Sequence, residues 1–295
     1  MKKALILINA YSKLKSALYQ SERLKEEFYK LGVDVDVKRN DFFAGYIAED
    51  GNVRVTLDAY DFCVYLDKDK YVSEMLEKTG LRLFNAHRAI EVCDDKMLTL
   101  IALSGSGIPV PTTLPGLLCY DKAAPVSAEA LDRVENMLGY PVIVKACHGS
   151  LGKQVFKADD RGALERVVEK LKLEQYVFEK FITESFGKDI RAIVIGGKVF
   201  AAMIRRSNGD FRSNLNAGGS GEPIEIDEKV KDMCEKAARI LGLDYCGIDV
   251  LFSRDGYVLC EVNSNAFFGG IEAVTGKNVA AALAGHIFKK VYGDV

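Results

Sequence analysis

Apolar residues first gather at positions 3–8, KALILI, a short β-rich run followed by a polar loop over 9–15. Over residues 16–31 apolar positions recur at helical spacing and stop at Gly32, a residue that readily ends a helix. The alternation then repeats, with strands predicted over 33–37, 61–66 and 81–84 and a helix over 69–78. Strands alternating with helices predict a parallel sheet covered by helices, so residues 1–86 read as an N-terminal α/β domain.

Residues 86–104 are helical in pattern, and the stretch 105–115, which carries Pro109, Pro111 and Pro115, interrupts the periodicity and marks a boundary. Beyond it come a strand over 141–146, a glycine-containing turn over 148–153, a return strand over 154–157 and a helix over 161–171, so 87–175 reads as a central unit. Residues 176–182, 190–195 and 198–204 are rich in β-branched and aromatic side chains, with Gly196-Gly197 as a hairpin turn. An amphipathic helix over 228–241, strands over 245–252 and 257–262 around Arg254-Asp255-Gly256, and a closing helix over 278–291 complete a C-terminal unit, 176–295. That unit is expected to hold a second, largely antiparallel sheet; no internal repeat or low-complexity tract interrupts the series.

Length and composition agree with this division. A chain of 295 residues exceeds one small core and favours two or three compact units. Hydrophobic residues at 48% and charged residues at 28% leave no compositional case for disorder. With 40 Lys plus Arg against 42 Asp plus Glu, the net charge of -2 creates no global field that would recruit nucleic acid or an anionic membrane. The seven cysteines include no CxxC pair and read as reduced core thiols. The apolar part of MKKALILINA is too short for a secretory signal, and no apolar stretch approaches the roughly 20 residues that cross a bilayer, so a cytoplasmic protein is expected.

Chemistry concentrates in GIDVLFSRDGYVLCEVN, residues 247–263. Asp249 lies on one strand, while Glu261 and Asn263 are two apart on the next and share a face. Two carboxylates and an amide oxygen suit magnesium, which keeps few protein ligands and completes its shell with water and phosphate oxygens. An exposed hairpin of solvated acids has the same spacing, but apolar neighbours on both sides require a cation or hydrogen-bond partner for a buried acid. Lys145 ends PVIVK just before the loop 146–153, where Gly149 and Gly152 would let backbone N–H groups close over phosphates. The loop is not GxxxxGK[ST], so the P-loop reading fails, and a solvated hairpin remains open. Asp189, Arg191, Arg205, Arg206, Arg212, Ser213 and Asn214 lie in or beside the central β-rich region, and the arginines among them suit bidentate capture of carboxylate or phosphate. The glycine-rich segment SNGDFRSNLNAGGSGE is a candidate active-site loop.

The ordered series DDKMLTLIALSGSGIPVP, GYPVIVKACHGSLGKQV, EKFITESFGKDIRAIVIGGKV, RRSNGDFRSNLNAGG and CGIDVLFSRDGYVLCEVNSN resembles the RimK-like ATP-grasp ligases, of the α-L-glutamate ligase type, over residues 85–292. The resemblance implies an α/β (α+β) ATP-grasp fold, with an N-terminal Rossmann-like pre-ATP-grasp domain and two sheets clamping ATP. In that reading Lys96 and Lys145 hold phosphates, and the loop carrying His148, Gly149, Ser150 and Gly152 closes over them. Glu179, Lys180, Phe181 and Ile182 form the adenine linker, and Asp189 meets the ribose. Arg212, Ser213 and Asn214 meet the phosphates and the reacting carboxylate, and Asp249, Glu261 and Asn263 bind Mg2+, with two ions expected and Mn2+ able to substitute. Arg206 and Arg212 are the candidates for holding the tetrahedral oxyanion, with Asn214 beside them. The family often has proline and glycine shortly after its last metal-binding Asn; this chain has Ser264-Asn265-Ala266-Phe267-Phe268-Gly269-Gly270, so glutamate specificity does not carry over directly. The implied reaction joins a small-molecule or peptide carboxylate to an amine through an acylphosphate, and the resemblance is compatible with a homodimer or homotetramer. A small-molecule kinase and a non-catalytic ATP-binding module are the alternatives, separated by their products.

Overall fold

The protein was analysed as a computed structural model, which describes residues 2–149, 152–213 and 218–293. The first sheet is built from β1 (Lys2–Ile8), β2 (Val33–Arg39), β5 (Phe62–Leu66) and β6 (Leu83–Phe84), in the order β2-β1-β5-β6 and all parallel. A small hairpin, β3 (Gly45–Ile47) with β4 (Val53–Val55), stands beside it. The unbroken apolar run of β1 is explained by burial on both faces. Ala4, Ile6 and Ile8 join one core with α1 (Lys15–Lys30), and Leu5 and Leu7 join another with α2 (Lys70–Lys78). Asp69 caps α2 by accepting the N–H groups of Tyr71 and Val72. The chain leaves β1 toward β2 on one side, while β5 lies on the other, so the crevice at the carboxyl ends of β1 and β5 is a topological switch point.

The long helical pattern after this sheet is two helices, α3 (His87–Asp94) and α4 (Lys96–Leu103), because the Asp95 carboxylate takes the N–H groups of Met97 and Leu98 and starts a new helix. The second sheet has β7 (Thr113–Pro115), β8 (Val142–Ala146), β9 (Val155–Ala158) and β10 (Tyr176–Lys180) in the order β7-β10-β8-β9. It packs its apolar face on α5 (Ala128–Leu138) and α6 (Arg161–Leu171). Tyr176–Lys180, expected with the C-terminal sheet, pairs antiparallel with β8 and β7 instead. Its β-rich composition predicted a strand but carried no information about the partner.

The third sheet, in the order β13-β12-β11-β14-β15, comprises β11 (Lys188–Ile195), β12 (Lys198–Arg206), β13 (Ser220–Pro223), β14 (Tyr245–Ser253) and β15 (Gly256–Asn263), and is antiparallel. Gly196 and Gly197, at φ 57° and 76°, turn β11 into β12. One face is covered by α7 (Glu228–Ile240). After β15 come α8 (Gly269–Thr275) and α9 (Val279–Tyr292); α9 shares its apolar core with α1, β1 and β5, so the end of the chain packs on the N-terminal sheet. Asn85, buried between these parts, accepts the N–H groups of Asp244 and Tyr245 and donates to the carbonyls of Tyr245 and Ser264, tying the first sheet to the end of the β14–β15 pair away from its turn.

Candidate active site

A cleft of about 880 Å³ opens where the second and third sheets face each other, and loops of the first sheet close one end. Its chemistry starts in β14 and β15. Asp249 pairs with Glu261, and Gly247 with Asn263, so the two carboxylates and the amide lie together on the cleft side. On β14 the alternation is regular: Ile248 and Val250 enter the core under α7, while Asp249 and Leu251 line the cleft. On β15 both Leu259 and Val262 enter that core, an odd interval allowed by a bulge: Leu259 pairs with Val250 and Glu261 with Asp249, leaving Cys260 as the extra residue. The bulge turns Cys260 into the cleft beside Glu261.

Behind the acids lies a buried ionic lattice. Arg191 grips Asp249 through Nε and Nη2, the latter at 2.9 Å, while Arg205 Nη2 lies 2.9 Å from Asp249 Oδ1. The same Arg205 holds both oxygens of Asp189, with Nε 2.8 Å from Oδ1. Burial opposes ionisation of Asp249, but Arg191 and Arg205 more than offset it and hold its carboxyl below the usual carboxylate range. Burial likewise works against the Arg205 cation, and Asp249 and Asp189 more than restore it. Gly247 makes the lattice fit: a Cβ there would stand 2.5 Å from the Ala266 Cβ and 2.9 Å from Arg191 Nη1.

Across the cleft, Lys145 Nζ lies 2.6 Å from Glu179 Oε2, both groups buried. Burial pulls the Lys145 ammonium toward neutrality, and Cys260 and Glu179 are the first two neighbours that act against it, leaving its pKa raised. Burial pushes the Cys260 thiol up to about 12, so this thiol is uncharged at neutral pH and Glu179 is the operative counter-ion. Lys96, at the start of α4, points its Nζ to the Cys147 carbonyl at 3.3 Å and stands 3.9 Å from Glu261. His148, Gly149 and Gly152 line the cleft, and Arg212 Nη1 donates to the Gly152 carbonyl at 2.9 Å, linking the glycine loop to the loop after β12. Lys180, Phe181, Ile182, Asp189 and Ser213 also line the cleft, and Phe181 meets Phe186 and Phe211 edge-on. Ser150 and Asn214 lie outside the described residues. Arg206 is not brought into the cleft. Successive residues of β12 face opposite ways, so Arg205 points inward while Arg206 lies half exposed, 3.6 Å from Glu222.

Sequence reasoning did not reach the lining supplied by the first sheet, namely Asn9, Ser12, Lys13, Asp67 and Lys68. The available signal was position: Asn9 and Asp67 directly follow β1 and β5, where ligands of open α/β sheets bind.

The donor set fits magnesium bound together with phosphate. The side chains of Glu261 and Asn263 make no hydrogen bond among the described residues, and Asp249 Oδ2 accepts one, leaving lone pairs for a hard cation. No group of three or more His, Cys, Asp or Glu suited to a metal occurs among the described residues, so the site is a partial shell that needs oxygens from elsewhere.

Comparison with known proteins places these features in context. The model of the RimK-like ATP-grasp domain matches residues 93–287. N-acetylaspartylglutamate synthase A of Homo sapiens is 38% identical over 224 residues, covering 75% of this chain and 56% of the synthase, so the chain spans about half the length of such relatives. A probable alpha-L-glutamate ligase of Thioalkalivibrio sulfidiphilus is 36% identical over 223 residues, covering 73% of this chain and 70% of the ligase. Among solved structures, the RimK domain protein ATP-grasp from Sphaerobacter thermophilus superposes with a TM-score of 0.74 at 19% identity, covering 96% of this chain and 98% of that one. The ATP-grasp ligase PsnB, complexed with minimal precursor, Mg and ADP, gives 0.69 at 21% identity, with 98% of each chain covered.

Proposed function

The chain belongs to the RimK-like ATP-grasp family, and from that membership we propose that it is an ATP- and magnesium-dependent carboxylate–amine ligase. The observation that carries this reading is one cleft in which Asp249, Glu261 and Asn263 face Lys96 and Lys145. Oxygen ligands and ammonium groups set opposite each other suit a metal-bound triphosphate. The relatives named for glutamate ligation make glutamate or another amino acid the proposed amine, with a small-molecule or peptide acid as its partner.

Two magnesium ions, with manganese as a substitute, would be held by Asp249, Glu261 and Asn263, and would supply neutralisation of charge between the phosphates of ATP. Lys96 and Lys145 fix phosphate oxygens, with Glu179 holding Lys145 in place. The adenine lies along residues 179–182 and the ribose near Asp189. The γ-phosphoryl passes to the acid's carboxylate oxygen and ADP departs. The amine nitrogen then bonds to the acyl carbon, the bond to the phosphate oxygen breaks, and inorganic phosphate and a proton leave. Arg212, fixed on the Gly152 carbonyl, stabilises the oxyanion of that step; the part given to Asn214 rests on the sequence resemblance. Seven unpaired cysteines support a reducing, cytoplasmic setting. No helix among the described residues is long and apolar enough to cross a membrane. A homodimer or homotetramer is the proposed assembly, on the family resemblance.

A screen of acid and amine pairs for ADP and phosphate release, followed by the mass of the product, tests the proposal. Release that requires both substrates, with a mass equal to their sum less water, is expected, and Glu261→Ala should abolish it while the protein still unfolds cooperatively. A stable phosphorylated product formed without an amine would overturn it.

A further inference from the structure

Of the cleft groups supplied by the N-terminal sheet, Asp67 is the buried acid that the reaction above leaves without a task. Asp67 follows β5 at the switch point, lines the cleft and is 7% exposed. Its Oδ1 accepts from the backbone N–H of Lys68 at 2.7 Å and from Asn9 Nδ2 at 3.1 Å; its Oδ2 is 3.3 Å from the same Asn9 nitrogen. These donors are neutral. The adjacent Lys68 ammonium is committed elsewhere, 2.6 Å from Asp94, and no ion pair reaches Asp67 among the described residues. A carboxylate taken out of water and given only neutral donors lacks the charge that would offset its lost hydration. Asp249, Asp189 and Glu179, the other buried acids of the cleft, each have an arginine or lysine.

Asp67 also sits on a prepared surface. Asn9 is fixed just after β1, where its Oδ1 accepts the Tyr11 N–H at 3.0 Å, which orients its amide nitrogen. Arg39, ending β2, holds the Ser12 carbonyl at 2.6 Å, which pins the loop between β1 and α1. Lys13, on that loop, lines the same end of the cleft, is exposed and has no ion-pair partner among the described residues. A cation-seeking carboxylate and an unpaired ammonium at one end of a cleft match the two charges of an amino acid.

We propose that Asp67, oriented by Asn9, receives the ammonium group of the amine substrate, so that the N-terminal sheet selects an amino acid in its zwitterionic form. The inference rests on the ligase reading and gives that reading its amine seat. Burial pushes the Asp67 carboxyl up, in keeping with a charge that has no counter-ion in the protein itself among the described residues.

The test is direct binding, read by calorimetry on the full chain with Mg2+ and ADP present. The probes are the common amino acids and their Nα-acetyl derivatives, which keep the carboxylates but lack the α-ammonium. At least one amino acid should bind, and its N-acetyl form should bind at least tenfold more weakly. Asp67→Asn should weaken the amino acid by at least tenfold while leaving ADP affinity unchanged. Equal binding of free and N-acetylated forms to the wild-type protein, which needs no variant, would overturn the proposal, as would ADP binding with no amino acid bound. Loss of ADP binding by the wild-type protein would instead remove the ligase reading beneath it.

Discussion

Replacing Arg205 by Met tests whether the lattice behind the acids is held by charge. The substitution keeps an unbranched apolar stem and removes the guanidinium from a site only 5% exposed. Asp249 keeps Arg191, but Asp189 loses both of its side-chain hydrogen bonds, since Arg205 Nε and Nη2 are its partners. An acid pair member left buried without its counter-charge costs about 3–5 kcal/mol. At about 2–4 °C per kcal/mol for a long chain, the melting temperature should fall by roughly 10 °C. Removing the stranded charge as well, in Arg205→Met/Asp189→Asn, should recover about 2 kcal/mol or more, because an amide is far cheaper to bury than an unpaired carboxylate. Urea denaturation of the wild type, both singles and the double gives the cycle. A loss below about 1 kcal/mol in Arg205→Met, or a double variant no more stable than that single, would refute the argument and show that water already solvates Asp189.

Lys145→Ala should lower nucleotide affinity at least tenfold by calorimetry, and pairing it with Glu179→Gln should restore stability, measured by urea midpoint, without restoring affinity. Gly247→Ala should cost about 1–3 kcal/mol of stability from overpacking and also reduce kcat, since the new methyl meets both Ala266 and Arg191; urea denaturation and steady-state kinetics read the two effects. Glu27 on α1 accepts from Asn278, the N-cap of α9, and from Lys30 and Arg23, which together outweigh burial and lower its carboxyl to about 2. Its folded value lies below the unfolded one, so its stabilisation is complete above about pH 4.5 and is lost as the pH falls toward 2. Acid denaturation of Glu27→Gln should therefore show a shallower loss over that window than the wild type.

Local pattern made much of this molecule legible. Period-2 spacing placed Glu261 and Asn263 on one face, helical periodicity bounded α6 at Arg161–Leu171, and Gly196-Gly197 marked the turn between β11 and β12. The short edge strands β7 and β13 and the hairpin of β3 with β4 gave too few alternations to be recognised. The choice between Arg205 and Arg206 was also beyond a reading of composition, because adjacent strand residues face opposite sides and only the paired strands show which side is the cleft.

By itself the sequence determined which residues carry carboxylate, amide and ammonium groups, the order of strands and helices along the chain, and the family to which that order belongs. These follow from near-neighbour chemistry, where side-chain type and spacing act within a few residues. Only the tertiary structure decided that Tyr176–Lys180 joins the second sheet, that α9 returns to the first, and that the bulge at Cys260 lets Leu259 and Val262 share one core. It also decided that Asp67, some 180 residues from the β14–β15 hairpin, lines the same cleft. Strand pairing and burial are long-range, and a strand's apolar run states that it will be covered without stating by what.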